Sequence, residues 1–537
     1  MLLRFTTCRH CEPRTESWRS NPRFIDCFVA YAPRNDDVFP PCPDIGSFST
    51  VQFSAFLICD KIASMQKNKN QPSQIKNLSE KSRNPKNDSA LGTEKISRLM
   101  VRLALPSVLA YLINVLYNIV DRIYIGHISS CAGSESSLAL TGLGICLPII
   151  QLVSAFSAFA GTGGAPLAAI ELGKSELDPS ARKNAQKILG NATFMLIVFS
   201  AVLTSFFLIF KMPVLMFFGA SEKTLPYADG YLSIYLLGTI FVQLSVGLNP
   251  FITCQGHAKT AMISILIGAV LNIILDPVFI FALGMGVKGA AFATIISQCV
   301  SAVWIVSFLA SKKSEIRLNS SILKPSFKVI KKISSLGASP FVMQATESAI
   351  FVVFNSGLQR YGGDIYVGAM TIMQSVMQII FIPVAGFSNG VQPIISYNFG
   401  AKKFDRVKEV VRKMLLVNGI VTVCLVLSAT LFPKGFAGLF TSSSEILQIE
   451  QKLLPVYIAG MWLMWIQNSA QTTFVGIGNA KVSIFIACLR KIILLIPLAL
   501  VLPCFFGVEG IFFAEPLATT CSAITSTVLL VREYRRM

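Results

Sequence analysis

The chain has 537 residues, of which 53% are hydrophobic and only 14% charged, and its mean hydropathy is +0.61. A water-soluble chain of this length needs far more polar surface to cover its core, so the composition excludes a soluble enzyme and points to the bilayer as solvent. The net charge of +19 would suit a nucleic-acid binder, but the basic residues gather in loops between apolar runs. That is the pattern of a membrane protein, and no nucleic-acid partner is expected.

Residues 1–95 come first and differ from the rest. They are polar, rich in Arg, Pro, Asn and Ser, and lack helical periodicity. The stretch Lys67–Lys95 carries too little apolar surface to fold, and Val51–Cys59 is too short to cross a bilayer. We expect a disordered extension that carries no mechanism. Residues 1–64 are expected to be dispensable, with Met65 the candidate initiator, an idea that native peptides from residues 1–64 would refute. Cys8, His10 and Cys11 lie close together, but no second Cys/His pair follows at finger spacing, so zinc is not expected.

From residue 99 apolar runs recur at 99–125, 138–165, 188–210, 231–254, 259–283, 288–310, 330–357, 366–394, 411–433, 453–475, 481–503 and 508–531. Each is close to the roughly 20 residues that cross a bilayer. Backbone groups in lipid must be satisfied within the segment, so the runs read as twelve helices, spans 1 to 12. An even number places both termini on one side. The loops on that side hold Lys174, Arg182, Lys183 and Lys187, the basic linker 311–329, and Lys402, Lys403 and Arg406. The opposite loops are poor in Lys and Arg, so both termini are expected to be cytoplasmic in a multi-pass cell-membrane protein.

The two halves repeat. Gly163, Pro166 and Gly173 recur at the same spacing as Gly390, Pro393 and Gly400. Gly256, Ala258 and Lys259 recur as Gly478, Ala480 and Lys481; Gly286, Val287 and Gly289 recur as Gly507, Val508 and Gly510; Pro106 pairs with Pro340. Repeats of six spans keep the same orientation. The expected fold is therefore an all-α membrane protein with six-helix bundles at 96–310 and 330–531 and a basic tail at 532–537. The bundles are related by a pseudo-two-fold axis along the membrane normal, a transporter plan in which one half rocks against the other.

Ionisable groups at lipid depth are costly and need a reason. Asp121 lies late in span 1, and Thr294 in span 6. Asn272 and Asp276 lie one turn apart on one face of span 5. Such a cluster is either a polar network that fixes helix packing or a site where H⁺ or Na⁺ is an acceptable counter-charge. Two carboxyl groups are a costly way to pack helices, which favours the second reading. Pro277, directly after Asp276, loosens the helical ladder there.

The second half has Glu347 in span 7, Arg490 and Lys491 in span 11 and Glu515 in span 12. Arg490 and Glu515 read either as cavity groups or as a charge pair or snorkelling side chains. Met343, Gln344, Met370, Met373, Gln374, Met377 and Gln378 form either core packing or an adaptable lining, with Tyr117 and Asn118 opposite as cavity candidates. Gly173-Lys174-Ser175 resembles the end of a phosphate loop, but Ala168 stands where its first glycine belongs. No zinc-protease motif or nucleophile elbow appears, and His127 and His257 sit at loop edges. No enzyme activity and no cofactor are expected; an ion gradient supplies the energy.

Tyr117-Asn-Ile-Val-Asp121, Asn272-Ile-Ile-Leu-Asp-Pro-Val-Phe-Ile280 and Gly390-Val-Gln-Pro-Ile-Ile-Ser-Tyr-Asn-Phe-Gly-Ala-Lys-Lys403 resemble the multidrug and toxic compound extrusion (MATE) family, in its prokaryotic branch. The resemblance covers residues 96–531. It implies that Asp121, Asn272, Asp276 and Thr294 match the family's first-half cation site and that Pro106 matches a proline where span 1 bends. It places Glu347 near a glutamate used for cations in another branch, and Arg490 at a basic residue common in this one. The implied activity is H⁺- or Na⁺-coupled antiport of small organic, expected cationic, drugs or metabolites by a monomer. A lipid-linked oligosaccharide flippase of the same superfamily would instead show a wide basic cleft. A membrane-embedded enzyme or scaffold would move no solute.

Overall fold

The computed structural model describes residues 90–126, 135–319, 323–438, 440 and 443–537. The expectations for residues 1–64, for the cluster Cys8 to Cys11 and for His127 lie outside them. Among the described residues the secondary structure is helical throughout. Spans 1, 2 and 3 are Ile96–Gly126, Glu135–Lys174 and Ala181–Phe217. Span 4 is a pair of helices, Leu225–Leu237 and Thr239–Thr253, bent by 60°. Span 5 is Ala258–Pro277 with a π-helical end at Val278–Ala282, and span 6 is Val287–Ala310. Spans 7, 8 and 9 are Phe327–Tyr361, Asp364–Gly400 and Phe404–Leu431. Span 10 is Ser444–Tyr457 and Met461–Gly476 on either side of a 3₁₀ turn. Span 11 is Ala480–Phe506, with a π-helical stretch at Leu489–Leu495, and span 12 is Val508–Arg536. Most helices outrun their apolar segments by a polar turn. The basic tail expected at 532–537 is therefore mostly the last turn of span 12.

The repeat is visible in the backbone. Gly256 and Gly478 take φ of 87° and 76° at equivalent turns. Gly286 (φ 55°, ψ −133°) and Gly507 (φ 58°, ψ −142°) precede spans 6 and 12 in a conformation that a side chain would strain. Both broken spans are interrupted at an equivalent glycine. A Cβ on Gly238 would lie 2.3 Å from Ile295 in span 6, and one on Gly460 2.6 Å from Pro516 in span 12. Spans 5 and 11 each contain a π-helical stretch, but at different depths: that of span 11 lies earlier in the repeat than that of span 5.

Three apolar clusters show how the halves meet. One is built within the first half and includes Ile125, Leu143, Tyr231, Leu236 and Ile280. Another lies within the second half and includes Phe354, Met370, Val426, Tyr457 and Phe512. The third is shared: Leu99, Leu103, Leu172 and Phe251 pack with Ile333, Val391, Ile394 and Phe474. Its members lie toward the helix ends nearest the two termini. The halves thus join on the terminus side and keep separate cores on the other.

The join is close because glycine permits it. A Cβ on Gly173 would fall 1.9 Å from the Tyr397 carbonyl oxygen, and one on Gly400 2.0 Å from that of Ile170. Gly163 rests on Gly337 and Gly390 on Ala104, so spans 2 and 7 repeat the crossing of spans 8 and 1.

A short helix precedes span 1. The short helix Ala90–Thr93 docks on the terminus side, with Leu91 only 1% exposed. The Leu91 carbonyl accepts from Asn398 Nδ2 at 3.0 Å. Arg406 donates to the Glu94 carbonyl at 2.7 Å, and Lys403 bridges Glu176 of the first half at 2.7 Å while donating to the Gly92 carbonyl. Leu105, Leu116 and Ile123 on span 1, and Phe206 and Ile209 on span 3, face outward, as a hydrocarbon solvent allows.

Candidate functional site

Between the halves lies a cavity of about 650 Å³, lined by spans 1, 2, 4, 5 and 6 on one side and by spans 7, 8 and 10 on the other. Pro106 and Pro340 face it from equivalent positions. Tyr117, Asn272 and Thr294 line the first-half wall, and Met343, Gln344 and Glu347 the second.

The polar cluster sits behind the first-half wall. Asn272 Nδ2 donates to Asp276 Oδ1 at 3.2 Å and to Thr294 Oγ1 at 3.5 Å. The Asp276 carboxyl is in hydrogen-bond contact with that of Asp121. Asp276 is fully buried, Asn272 nearly so, and both keep an oxygen without a hydrogen-bond partner, Asp276 Oδ2 and Asn272 Oδ1. The helical i, i+4 spacing stacks Asn272 over Asp276. Pro277 then removes a ladder donor where the helix passes into its π-helical end. The structure thus brings together Asp121, Asn272, Asp276 and Thr294, and the last two steps of the cluster toward the cavity are Asn272 and Thr294.

The second half holds ion pairs. Arg490 contacts Glu515 at 2.6 Å with both side chains almost fully buried, and Thr519 donates to the same carboxyl oxygen at 3.3 Å. Lys491 pairs with Glu347. Arg490 and Lys491 both lie in the π-helical stretch of span 11, which lets successive residues turn into the bundle. Neither they nor Glu515 line the cavity; Glu347 does.

Met373 is fully buried in the second-half core and Met377 packs against it, so these two, one turn apart, face their own bundle. Gln378 does not line the cavity either. Span 8 instead presents Phe381, Ala385, Asn389 and Gln392. The Asn118 side chain lies outside the described residues. Asn389, Gln392, Asn468 and Gln471 are cavity residues that sequence reasoning passed over. The available signal was an amide at lipid depth, and Gln392 stood inside the Gly390 motif. Gly173-Lys174-Ser175 closes the C-terminal end of span 2, with Lys174 paired to Glu171 at 2.6 Å. Helix C-termini repel phosphate.

The MatE family model matches residues 106–278 and 340–501, one stretch in each half. The chain belongs to the MATE family. Among similar curated proteins, the multidrug export protein MepA of Staphylococcus aureus (strain N315) is 25% identical over 439 residues, 81% of this chain and 93% of that protein. MepA of Staphylococcus haemolyticus (strain JCSC1435) is 26% identical over 446 residues, covering 82% and 95%. Among solved structures, a MATE protein in the straight conformation superposes with a TM-score of 0.76 at 21% identity, covering 83% of this chain and 98% of that one. A MOP-superfamily transporter from Pyrococcus furiosus, described as having reversed polarity in its binding pocket, gives a TM-score of 0.76 at 21% identity and covers 83% and 97%. These structures establish the fold: a MATE arrangement of twelve membrane helices in two bundles.

Proposed function

We propose that this MATE protein is an antiporter that exports small organic solutes across the cell membrane, driven by H⁺ or Na⁺. The observation that carries the reading is the buried contact between Asp121 and Asp276 beside Asn272 and Thr294. Two carboxyl groups in contact cannot both stay ionised at lipid depth without a positive charge between them. The unpartnered Asp276 Oδ2 and Asn272 Oδ1 supply hard oxygen acceptors for a proton or an alkali ion. Asn272 and Thr294 also belong to the cavity wall, so ion and solute share one partition and binding of one can weaken the other. The names of the staphylococcal relatives support export of drugs as the direction and cargo class.

The basic loops support cytoplasmic termini. In that orientation the shared core and the Ala90–Thr93 helix close the cytoplasmic side, and the halves part toward the outside. Alternating access then consists of separating spans 2 and 8 at their glycines. The flippase alternative called for a basic cleft; no Lys or Arg is among the described residues that line this cavity.

The test is export from proteoliposomes under an imposed pH or sodium gradient, with Asp276→Asn and Asp121→Asn beside the parent. Gradient-driven export should disappear in both variants while folding and solute binding persist. Export at the parental rate in either variant refutes the assignment.

A further inference from the structure

We infer that the basic pocket where the linker between the halves folds back on span 3 is a binding site for a phosphate group at the membrane surface. The site lies outside the cavity between the halves and stands independently of the antiport reading.

The first argument is uncompensated charge. A pocket of about 280 Å³ on the terminus side is lined by Arg182, Lys312, Lys313 and Arg317, with Glu315 as its one acid. Other basic groups on that side meet acids: Lys174 pairs with Glu171 at 2.6 Å, Lys403 with Glu176 at 2.7 Å and Lys413 with Glu409 at 2.6 Å. Among the described residues, none of the four pocket cations enters a salt bridge. Basic residues that only orient the chain in the membrane need not converge. Four like charges around one space repel one another until an anion enters.

The second argument is a fixed frame. Gln255, buried where span 4 ends, accepts from the Glu315 and Ile316 amides at 2.7 and 3.2 Å. The Leu318 amide donates to the Leu309 carbonyl at 2.9 Å, which folds the linker against the end of span 6. Arg182 Nε donates to the Glu315 carbonyl at 3.1 Å, and Arg317 Nη2 to the Lys312 carbonyl at 3.4 Å. Each guanidinium is thereby oriented by the backbone and keeps further N–H groups for a ligand. The planar fork of such N–H groups matches phosphate oxygens. Burial raises the Glu315 carboxyl above its ordinary pKa, against the lowering effect of Arg182. An entering anion therefore meets an acid that readily takes up a proton.

The volume holds a phosphate with the carbons esterified to it, and a drug-sized solute needs more. A phosphate reaches this surface on a lipid headgroup or on a soluble ester. Span 6 exposes Val303 and Trp304 about two turns deeper than the linker, a surface that acyl chains can follow. Anionic headgroups also concentrate on the cytoplasmic leaflet, where the proposed orientation puts the pocket.

The experiment melts the full-length protein in mild detergent while one probe is titrated: dioleoyl phosphatidylglycerol, dioleoyl phosphatidylcholine or glycerol 3-phosphate. A ligand of the folded state raises the melting temperature in proportion to its occupancy. Phosphatidylglycerol should reach half its effect at a concentration roughly ten-fold or more below that of phosphatidylcholine. Arg182→Gln/Arg317→Gln should raise that concentration roughly ten-fold or more, because two charge-assisted hydrogen bonds are lost. Lys328→Gln/Lys331→Gln removes the same charge from exposed positions outside the pocket and should leave it near the parental value. Lys312→Gln/Lys313→Gln changes only exposed side chains and serves as the test variant if the arginine pair does not fold. Protection by phosphatidylglycerol but not glycerol 3-phosphate assigns the lipid as source. Equal protection by glycerol 3-phosphate assigns a soluble ester and upholds the site. Protection by neither, or equal losses in the pocket variant and the outside variant, overturns the inference.

Discussion

The glycine crossing of spans 2 and 8 offers a direct handle on the proposed alternating access. In Gly173→Ala the new Cβ lies 1.9 Å from the Tyr397 carbonyl oxygen, against 3.4 Å for ordinary contact. The obstructing atom is backbone, so no rotamer change relieves the clash. The two helices must separate by roughly 1.5 Å at the crossing, a gap that forfeits a large share of the local dispersion contacts. Overpacking of this size costs about 1–3 kcal/mol. Only the state joined on the terminus side bears that cost, so the population shifts toward the state open on that side by roughly 5–150-fold. Double electron–electron resonance between spin labels at Ser180 and Asp405 reads this shift as growth of a longer distance. Gly400→Ala acts on the opposite helix, with its Cβ 2.0 Å from the Ile170 carbonyl, and should move the distribution in the same direction. A folded Gly173→Ala protein with the parental distance distribution refutes the reasoning, because it means the seam yields without opening.

Further outcomes follow from other contacts. Leu91→Ala removes a side chain 1% exposed. A buried Leu→Ala change costs about 2–5 kcal/mol, so the same spin-label pair should report more of the terminus-open state. Parental distances would deny the short helix any clamping role. Arg490→Met leaves Glu515 buried without its partner and should destabilise the fold by about 3–5 kcal/mol. Adding Glu515→Leu should recover most of the loss in a thermal melt, and an unaltered single variant would contradict the pairing. At the turn between spans 4 and 5, burial and the nearby Arg102 cation hold the His257 imidazole below its ordinary pKa. The folded protein therefore keeps this group neutral while the unfolded chain takes up a proton near pH 6.5. Its contribution to stability is complete above about pH 6.5 and is lost as pH falls from there toward the folded pKa. Thermal melts across that range should slope less in His257→Gln, and equal slopes would remove His257 as the cause.

The spans and the repeat were legible because bilayer thickness and turn glycines act locally on the chain. Gly256 and Gly478, or Gly286 and Gly507, announce themselves by spacing, and the structure gives each pair one backbone conformation. Asp121, Asn272, Asp276 and Thr294 were legible as a group because charge at lipid depth is costly wherever it occurs. What sequence could not supply was the rotation of each helix. Met373 and Met377 point into their own bundle while Asn389 and Gln392 of the same span reach the cavity, and that difference is set by packing against spans 9 and 10. Nor could composition show that Lys491 would meet Glu347, or that Leu91 would dock rather than stay in a loose extension. Those contacts join segments far apart in sequence.

The duplicated backbone and the unduplicated chemistry have a practical consequence. The positive-φ turns at Gly256 and Gly478 and at Gly286 and Gly507 are held in register between the halves, whereas the contacting aspartates lie in one and the buried Arg490–Glu515 and Lys491–Glu347 pairs in the other. Chimaeras made from two copies of the same half should therefore still assemble as a barrel of helices in a membrane. On the proposed coupling they should fail as machines, since a doubled first half would carry the aspartate cluster twice and a doubled second half would lack it.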